Sequence, residues 1–455
     1  VTITGKNFDS DLTNNAILFG AIHDTKLTTS STEIKVIVPD GTTFYPITVT
    51  NLTSNLTGFS SKPFITTFIG TEFKPNTFGE RMEYSIANYA ECVAIGDIDG
   101  DGKPDLVSAN YYHSISILRN TSINGTTSFD PKVDYSLGSA FPEFVSLSDI
   151  NGDGKLDIVV ASRYPDVVSL FRNTSTNGNI SFAAKIDLTA GLEIRSVSLG
   201  DLNGDGKPDL VVTNSGDNTV SVIRNTSTNA NISFAIKENF STESKPWDAS
   251  IDDLDGDGKP DLAIANFASN SVSVLRNTST NDTISFATRS NFYTGSSPRC
   301  VKIGDMDGDN KPDLIVPNSG SNTISILRNI STIGSIVFNP KLDKTTGSYP
   351  IRASISELNG DGKIDIVVSN FYSNTISIFK NNSSNGTLSF DSKVDYETGA
   401  YPGFVSIGDL DENQIPEIVV TSSNTSKLSV LRKKCVDPII SDFTPTTATI
   451  GTAVT

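Results

Sequence analysis

An acidic ten-residue segment recurs seven times along this chain, and successive copies begin 52 residues apart. The first copy is DIDGDGKPDL at residues 97–106. Near-copies begin at Asp149, Asp201, Asp253, Asp305 and Glu357, and a more divergent one, DLDENQIPEI, begins at Asp409. A fixed period of this length indicates one structural unit per repeat. The chain must therefore fold as a series of similar units.

Each repeat contains four short segments, which in the first repeat read CVAIGD, LVSAN, SISILRN and TSFDPKVDY. They are rich in β-branched and aromatic residues and are bounded by Gly, Asn, Asp or Pro, as strands are. The 3.6-residue apolar period of helical repeats is absent. Four strands per repeat, seven times over, predict an all-β fold: a seven-bladed β-propeller with four-stranded blades.

The last repeat supplies only three strands and ends at KLSVLRKK. The missing fourth strand is found ahead of the first repeat, where TFGERMEYSIANYAECVAIGD at 77–97 matches SFDPKVDYSLGSAFPEFVSLSD at 128–149. We expect residues near 77 to 85 to complete the last blade and close the ring. Closure removes open sheet edges, which otherwise invite aggregation.

The flanking sequences differ from the repeats. Residues 1–67 contain the strand-like segments VTITGKNF, AILFGAI, TEIKVIVPDGT and YPITVTNLTS, which favour a small immunoglobulin-like β-sandwich. Residues 437–455 read as the start of a second such module. We therefore expect a propeller at 68–436 between two modules, each truncated, within a monomeric part of a longer protein.

The formal net charge is −17, and the seven ten-mers hold nearly half of the acidic residues. This charge argues against a nucleic-acid partner, which would require a basic face. No apolar run approaches the roughly 18 residues that span a bilayer, so membrane insertion is not expected. Cys92, Cys300 and Cys435 do not form an even disulfide framework, and we interpret them as small buried residues.

The ten-mer carries oxygen donors at positions 1, 3, 5 and 9, with glycines at 4 and 6 that permit a tight turn. The carbonyl of the lysine at position 7 is a further donor, and we expect its side chain to point to water. Oxygen-only ligation by several carboxylates favours Ca²⁺ over Mg²⁺. An EF-hand would need Glu at position 12, which is Ser108 in the first copy, so we expect the aspartate at position 9 to complete the site.

Six loops are thus predicted calcium sites; the alternative is an acidic turn that holds no metal. The candidate ligands are Asp97, Asp99, Asp101, Lys103 and Asp105; Asp149, Asn151, Asp153, Lys155 and Asp157; Asp201, Asn203, Asp205, Lys207 and Asp209; Asp253, Asp255, Asp257, Lys259 and Asp261; Asp305, Asp307, Asp309, Lys311 and Asp313; and Glu357, Asn359, Asp361, Lys363 and Asp365.

Three loops depart from this pattern, and the mildest change is Asn310 in place of the second glycine of the fifth loop. The longer side chain of Glu357 at position 1 is expected to shift or weaken the sixth site. The seventh loop keeps Asp409 and Asp411 but loses both glycines, and its occupancy stays open, with Asn413 and Glu417 as its other donors.

The pattern D-x-D-G-D-G-K-x-D after a short strand resembles the FG-GAP (VCBS) repeat, the blade unit of integrin α-subunit propellers. The flanks VTITGKNF, VIVPDGT and PITVTN resemble IPT/TIG immunoglobulin-like modules. The first resemblance implies a structural Ca²⁺ between strands 1 and 2 of each blade. Together they imply a secreted or surface-anchored protein, with adhesion as one expected role.

Aromatic residues recur in the segments predicted to join strand 2 to 3 and strand 4 to 1. They are Tyr111, Tyr112, Tyr164, Trp247, Tyr349, Phe371, Tyr372 and Tyr401. Beside Asn, Ser and Asp, such rings suit sugars, but they can equally pack between neighbouring blades.

These observations favour a non-enzymatic calcium-binding scaffold whose partner is a glycan or a surface protein. A lectin is the main alternative, and a polysaccharide lyase-like enzyme is a third. The only histidines are His23 and His113, and no nucleophile elbow, zinc motif or P-loop is present. The recurrent N-x-S/T triplets, such as those at Asn120 and Asn225, are interpreted as polar turn chemistry.

Overall fold

A computed structural model describes residues 1–23, 25–39, 42, 46–65, 72–123, 125–228, 231–280 and 283–433. The fold of these residues is all-β, as predicted. Its single helical element there is a 3₁₀ turn at Leu12–Asn14. Among the same residues, no helix has the length and apolar character needed to cross a membrane. Cys435 and the proposed second module at 437–455 lie outside the described residues.

The N-terminal part forms two sheets, with strand orders β1-β5-β4 and β3-β2-β6-β7. Its strands are β1 (Thr2–Thr4), β2 (Asn15–Phe19), β3 (Ile22–His23), β4 (Thr25–Thr29), β5 (Glu33–Ile37), β6 (Pro46–Asn51) and β7 (Leu56–Pro63). Ile17, Phe19 and Val49 of one sheet pack against Ile34 and Val36 of the other. This small core is separate from the cores of the repeats.

The repeats form seven four-stranded antiparallel sheets, as the four strand-like segments per repeat predict. After β8 (Glu80–Ser85), the strands of the first three sheets are β9 (Ala90–Gly96), β10 (Asp105–Asn110), β11 (Ser114–Leu118), β12 (Val133–Ser136); β13 (Phe141–Ser148), β14 (Asp157–Arg163), β15 (Val167–Phe171), β16 (Ile186–Thr189); and β17 (Ile194–Gly200), β18 (Asp209–Asn214), β19 (Thr219–Ile223), β20 (Glu238–Ser241).

The remaining four sheets repeat this order. Their strands are β21 (Pro246–Asp252), β22 (Asp261–Asn266), β23 (Ser271–Leu275), β24 (Ser290–Tyr293); β25 (Lys302–Gly304), β26 (Asp313–Asn318), β27 (Thr323–Leu327), β28 (Leu342–Thr345); β29 (Pro350–Ser356), β30 (Asp365–Asn370), β31 (Thr375–Phe379), β32 (Val394–Glu397); and β33 (Pro402–Gly408), β34 (Glu417–Ser422), β35 (Lys427–Arg432).

The first strands of the seven sheets contact one another in a cycle, from β9 through β13, β17, β21, β25, β29 and β33 back to β9. The second strands are buried along their whole length, as in β10 and β18, except that Arg163 at the end of β14 is only partly buried. The fourth strands are largely exposed, as in β12 and β16. Each sheet therefore presents its first strand to the centre and its fourth to solvent.

The seventh sheet obtains its fourth strand from the N-terminal side of the repeats. β8 pairs antiparallel with β35, from Ser85 opposite Lys427 to Glu80 opposite Arg432. This is the pairing that the alignment of residues 77–85 predicts. It covers the edge that β35 would otherwise expose.

Cys92, on β9, and Cys300, two residues before β25, are free and fully buried thiols. Burial raises the pKa of Cys92 to about 12 and that of Cys300 to about 11, which keeps both as unreactive thiols. Their interpretation as small buried residues is confirmed.

Candidate metal loops and the opposite face

The residue at position 1 organises each acidic loop. In the first loop, one carboxylate oxygen of Asp97 accepts the backbone N–H groups of Gly100 and Asp101 at 2.8 and 3.1 Å, and the other accepts that of Gly102 at 2.9 Å. Asp99 and Asp101 accept further backbone N–H groups at 3.1 and 3.0 Å. These bonds turn the backbone around the position-1 carboxylate and bring the next two acids towards it.

The aspartate at position 9 joins the loop to its own sheet. Asp105 accepts the N–H of Ile98 at 2.9 Å through one oxygen and that of Asn120 at 2.7 Å through the other. Equivalent pairs of bonds are made by Asp157, Asp209, Asp261, Asp313 and Asp365. This residue thus has a structural role in addition to being a candidate ligand.

The asparagine after each third strand links neighbouring repeats. Asn173 donates at 2.8 Å to the carbonyl of Leu156 in its own loop and at 2.8 Å to that of Ile98 in the preceding loop. Asn120, Asn225, Asn277, Asn329 and Asn381 make the same two bonds, and Asn120 reaches Leu410 of the last loop. We call these six residues the asparagine clasps. They are buried. Each also accepts the N–H of the serine two residues later, as Asn120 does from Ser122 at 2.8 Å, which confirms the polar turn chemistry predicted for the N-x-S/T triplets.

The lysine side chain at position 7 does not point to water, and that expectation is wrong. Lys155 donates to the carbonyl of Ser175 at 2.6 Å, and Lys207 donates to that of Ser227 at 2.7 Å. Lys103, Lys259, Lys311 and Lys363 make the same contact with Ser122, Ser279, Ser331 and Ser383. The aliphatic part of the lysine spans the loop because the carbonyl acceptor of the strand 3–4 connection lies within its reach.

Sequence reasoning missed the basic residue that ends each third strand or directly follows it. Arg119 binds Asp99 at 2.6 Å and Asp101 at 2.5 Å, at positions 3 and 5 of its loop. Arg328 makes the same two contacts with Asp307 and Asp309 at 2.5 Å. The signal was the recurrence of Arg or Lys before the clasp position in every repeat, as in SISILRN.

Where position 3 is asparagine, its side-chain amide contacts the aspartate at position 5. The Asn151 side-chain N–H donates to Asp153 at 3.0 Å, and Asn203 and Asn359 donate to Asp205 and Asp361 at 3.1 Å. Positions 3 and 5 therefore stay adjacent in both kinds of loop.

In the first, fourth, fifth and seventh loops, carboxylate oxygens lie close enough to one another to share a cation. In each of these loops, one carboxylate oxygen from each of three acids lies within 4.8 Å of the other two. The groups are Asp97, Asp99 and Asp101; Asp253, Asp255 and Asp261; Asp305, Asp307 and Asp313; and Asp409, Asp411 and Glu417. Two buried oxygens at position 3, Oδ1 of Asn151 and Oδ1 of Asp411, have no hydrogen-bond partner. Buried acceptors without a donor are rare, and a hard cation would satisfy them.

Electrostatics support this fit. Burial raises the pKa of Asp97 and Asp149 to about 7, and neighbouring acids of the same loop add to the shift. Burial likewise raises the pKa of Asp365 to about 8. The loops therefore concentrate negative charge that their own hydrogen bonds do not compensate. The residues present fit a hard divalent ion.

The seventh and sixth loops, which depart most from the repeat sequence, keep the backbone turn and the contacts of the other loops. Glu412 and Gln414 replace the two glycines of the seventh loop and adopt the same left-handed backbone, with φ of 64° and 67°. Asp411 binds Arg432 at 2.5 Å, as position 3 does in the first and fifth loops. In the sixth loop, Glu357 is buried and accepts the backbone N–H of Gly360 at 2.8 Å.

The predicted aromatic residues lie on the opposite face, because the second strand runs antiparallel to the first, away from the acidic loop. Tyr349, Phe371, Tyr372 and Tyr401 form one group, with ring centroids of contacting pairs 4.7 to 6.1 Å apart. Tyr111 and Tyr112 form a second group with Tyr89 and Phe141. Tyr372 is 58% exposed and Tyr112 49%.

The other two predicted aromatics contact arginines. Trp247 lies beside Phe267, with centroids 4.9 Å apart, and the guanidinium groups of Arg195 and Arg299 lie 4.0 and 4.4 Å from its ring centroid. The exposed ring of Tyr164 lies 5.4 Å from the guanidinium of Arg163. The rings are thus partly packed against neighbours and partly open to solvent.

The model of the FG-GAP-like repeat matches residues 97–160, 149–212, 201–264, 253–316 and 358–420, which together are more than half of the chain. The chain belongs to the FG-GAP-like repeat family. Each match begins at or beside an acidic loop, so the loops are part of the family pattern. A search of curated proteins found no match.

Solved structures of similar fold are propeller-like. BBS1N, crystallised in complex with ARL6DN, matches with a TM-score of 0.51 and 12% identity over 82% of this chain and 98% of BBS1N. Sqt1 from Chaetomium thermophilum matches with a TM-score of 0.51 and 9% identity over 86% of this chain and 89% of Sqt1. At these identities the likeness extends to the fold alone.

Proposed function

We propose that this FG-GAP-like protein is a calcium-stabilised, seven-bladed propeller that serves as an extracellular, non-enzymatic scaffold for adhesion or ligand binding. The proposal includes the integrin α-like role of calcium as a structural ion and an IPT/TIG-like N-terminal module. The observation that carries it is the convergence of buried and partly buried carboxylates in the first, fourth, fifth and seventh loops. In addition, buried side-chain oxygens of Asn151 and Asp411 accept no hydrogen bond.

In each loop, hydrogen bonds within the protein hold the candidate ligands in place. The position-1 carboxylate closes the turn, and the position-9 carboxylate anchors the loop to the second and third strands. A bound calcium ion would supply the positive charge that buried carboxylates require. With free calcium at ten times the Kd of each of six sites, binding would stabilise the fold by about 8 kcal/mol in total.

Thermal unfolding with millimolar calcium and with a chelator tests the proposal. We expect a higher midpoint in calcium, a much smaller rise in equimolar magnesium at matched ionic strength, and about six bound calcium ions per chain by equilibrium dialysis. Equal midpoints with and without calcium, or no bound calcium, would refute it and favour acidic turns that hold no metal.

A lectin remains the second candidate, favoured by the exposed tyrosines of the opposite face. Tyr372 and Tyr401 are exposed and adjoin Phe371, with centroids 5.2 and 5.1 Å away. Such rings offer apolar faces to the C–H groups of a sugar. A glycan array distinguishes the candidates, since a scaffold for protein partners alone would retain no glycan.

A further inference from the structure

Four arginines converge where the central first strands begin, on the face opposite the acidic loops. They are Arg163, Arg195, Arg299 and Arg352, in a chain whose net charge is −17. The pairing of first and second strands is interrupted there by β-bulges, for example between Pro142 and Phe144 and between Pro246 and Asp248. Bulges redirect side chains and are common beside functional sites.

Three of these arginines have carboxylate partners. Arg163 and Arg195 both bind Glu143, Arg195 at 3.4 Å. Arg352 binds Asp248 at 3.1 Å and lies over the rings of Phe144 and Phe404. Their charges are compensated within the protein.

Arg299 differs from the other three. Its guanidinium donates to the hydroxyl of Tyr349 at 2.7 Å and lies 4.4 Å from the ring of Trp247 and 5.0 Å from that of Tyr349. In the described part of the chain, no carboxylate lies within ion-pair distance of it. Its Nε is buried without a hydrogen-bond partner. A largely buried cation without a counter-charge is costly to a fold.

The arginine adjoins an exposed aromatic surface. Tyr349 contacts Tyr372, with centroids 4.7 Å apart, and Phe371, which in turn contacts Tyr401. Tyr372 and Tyr401 are both exposed. A cation and apolar ring faces therefore lie side by side, which matches a pyranose ring that carries a carboxylate better than an acidic peptide.

We propose that Arg299, with Trp247, Tyr349, Tyr372 and Tyr401, forms a binding site for an acidic saccharide, such as a uronic acid. The guanidinium pairs with the sugar carboxylate in the planar, bidentate geometry that arginine favours, and the tyrosine rings contact the C–H faces of the sugar. The proposal names a ligand class for the face assigned to the lectin candidate, and it does not depend on calcium in the loops.

Isothermal titration of the intact chain with tri-galacturonic acid, in fixed calcium, tests this site. We expect binding that weakens with salt and falls at least ten-fold in Arg299→Met, which keeps the length of the side chain but removes the charge. Arg289→Met, which alters an arginine paired with Glu243 elsewhere, should bind as the wild type does. Tyr372→Ala should also weaken binding.

The methyl ester of the same trisaccharide and a short polyglutamate separate charge from sugar recognition. The proposal predicts weaker binding of both. It is overturned if tri-galacturonic acid does not bind, if Arg299→Met binds it as well as the wild type, or if polyglutamate binds equally. Calcium-dependent melting of Arg299→Met, measured in parallel, reports folding and tests the scaffold proposal separately.

Discussion

Gly152 and Gly204 occupy the same position in neighbouring acidic loops but have different surroundings. Both have left-handed backbones, with φ of 73° and 75°. A Cβ at Gly152 would lie 2.6 Å from the backbone oxygen of Asn55 in the N-terminal module, whereas one at Gly204 would meet nothing within 4 Å. Of the two positions, only that of Gly152 lacks room for a side chain, because the N-terminal module lies against it.

The pair gives a prediction about that contact. Gly204→Ala should cost about 1 kcal/mol, the strain of a left-handed alanine. Gly152→Ala should cost more, because the module must also move away from the second loop. Urea unfolding measures both variants, and limited proteolysis should release the module faster in Gly152→Ala. Equal stability and equal cleavage of the two variants would contradict the contact.

Glu91 gives a prediction about pH. Burial raises its pKa from 4.5 to about 7; nearby Glu143 adds to the shift, and Arg163, Arg352 and Arg299 oppose it. Between these two values the folded state binds more protons than the unfolded state, so this residue lowers the free energy of unfolding as pH rises. The loss reaches about 3 kcal/mol above pH 7.

The substitution Glu91→Gln removes this titration and keeps the side-chain size. We expect the variant to match the wild type near pH 4.5 and to be the more stable of the two at pH 8. Chemical unfolding of both proteins at several pH values, in fixed calcium, measures the difference. A stability difference that does not change with pH would show that Glu91 does not titrate in this range.

At the scale of elements, the asparagine clasps tie each loop to its neighbour. Asn173→Ala would leave the buried carbonyls of Ile98 and Leu156 without a donor, which costs about 1–3 kcal/mol for each unsatisfied group. Asn179→Ala, an exposed change in the same strand 3–4 connection, should be neutral. Urea unfolding of the two variants makes the comparison, and equal midpoints would exclude a stabilising role for the clasp.

The strands and loops were predictable because their signals are local and repeat every 52 residues. The pairing of β8 with β35 followed from the same period. The contacts that individual side chains make were harder to predict from the sequence. The reach of Lys103 to Ser122 depends on how two loops approach in space, and Arg195, Trp247 and Arg299 occupy equivalent positions whose identity changes from repeat to repeat. The period shows which residues are equivalent, but it does not show which side chains they contact.

At the scale of the whole molecule, the two faces are used differently. The N-terminal module covers part of the loop face, where the Thr57 N–H donates to the carbonyl of Gly206 at 2.8 Å and the Thr50 hydroxyl donates to Asp149 at 3.3 Å. Candidate ligand Asp149 thus contacts the module directly. The opposite face carries the exposed tyrosines and the four arginines Arg163, Arg195, Arg299 and Arg352.

Closure by β8 gives the last prediction. A chain that begins at residue 72 keeps β8, whereas one that begins at residue 87 leaves β35 as an open edge. Losing β8 also removes Tyr84, whose ring packs against Phe129 with centroids 4.8 Å apart and whose hydroxyl donates to the carbonyl of Thr127 at 3.1 Å. We expect the shorter chain to aggregate and to melt at lower temperature. Light scattering and thermal unfolding of the two chains measure this, and the longer chain controls for loss of the N-terminal module. β8 pairs with residues about 340 positions later in the chain and so joins its two ends. Equal aggregation and equal melting temperatures of the two chains would therefore mean that the ring is stable without this closing strand.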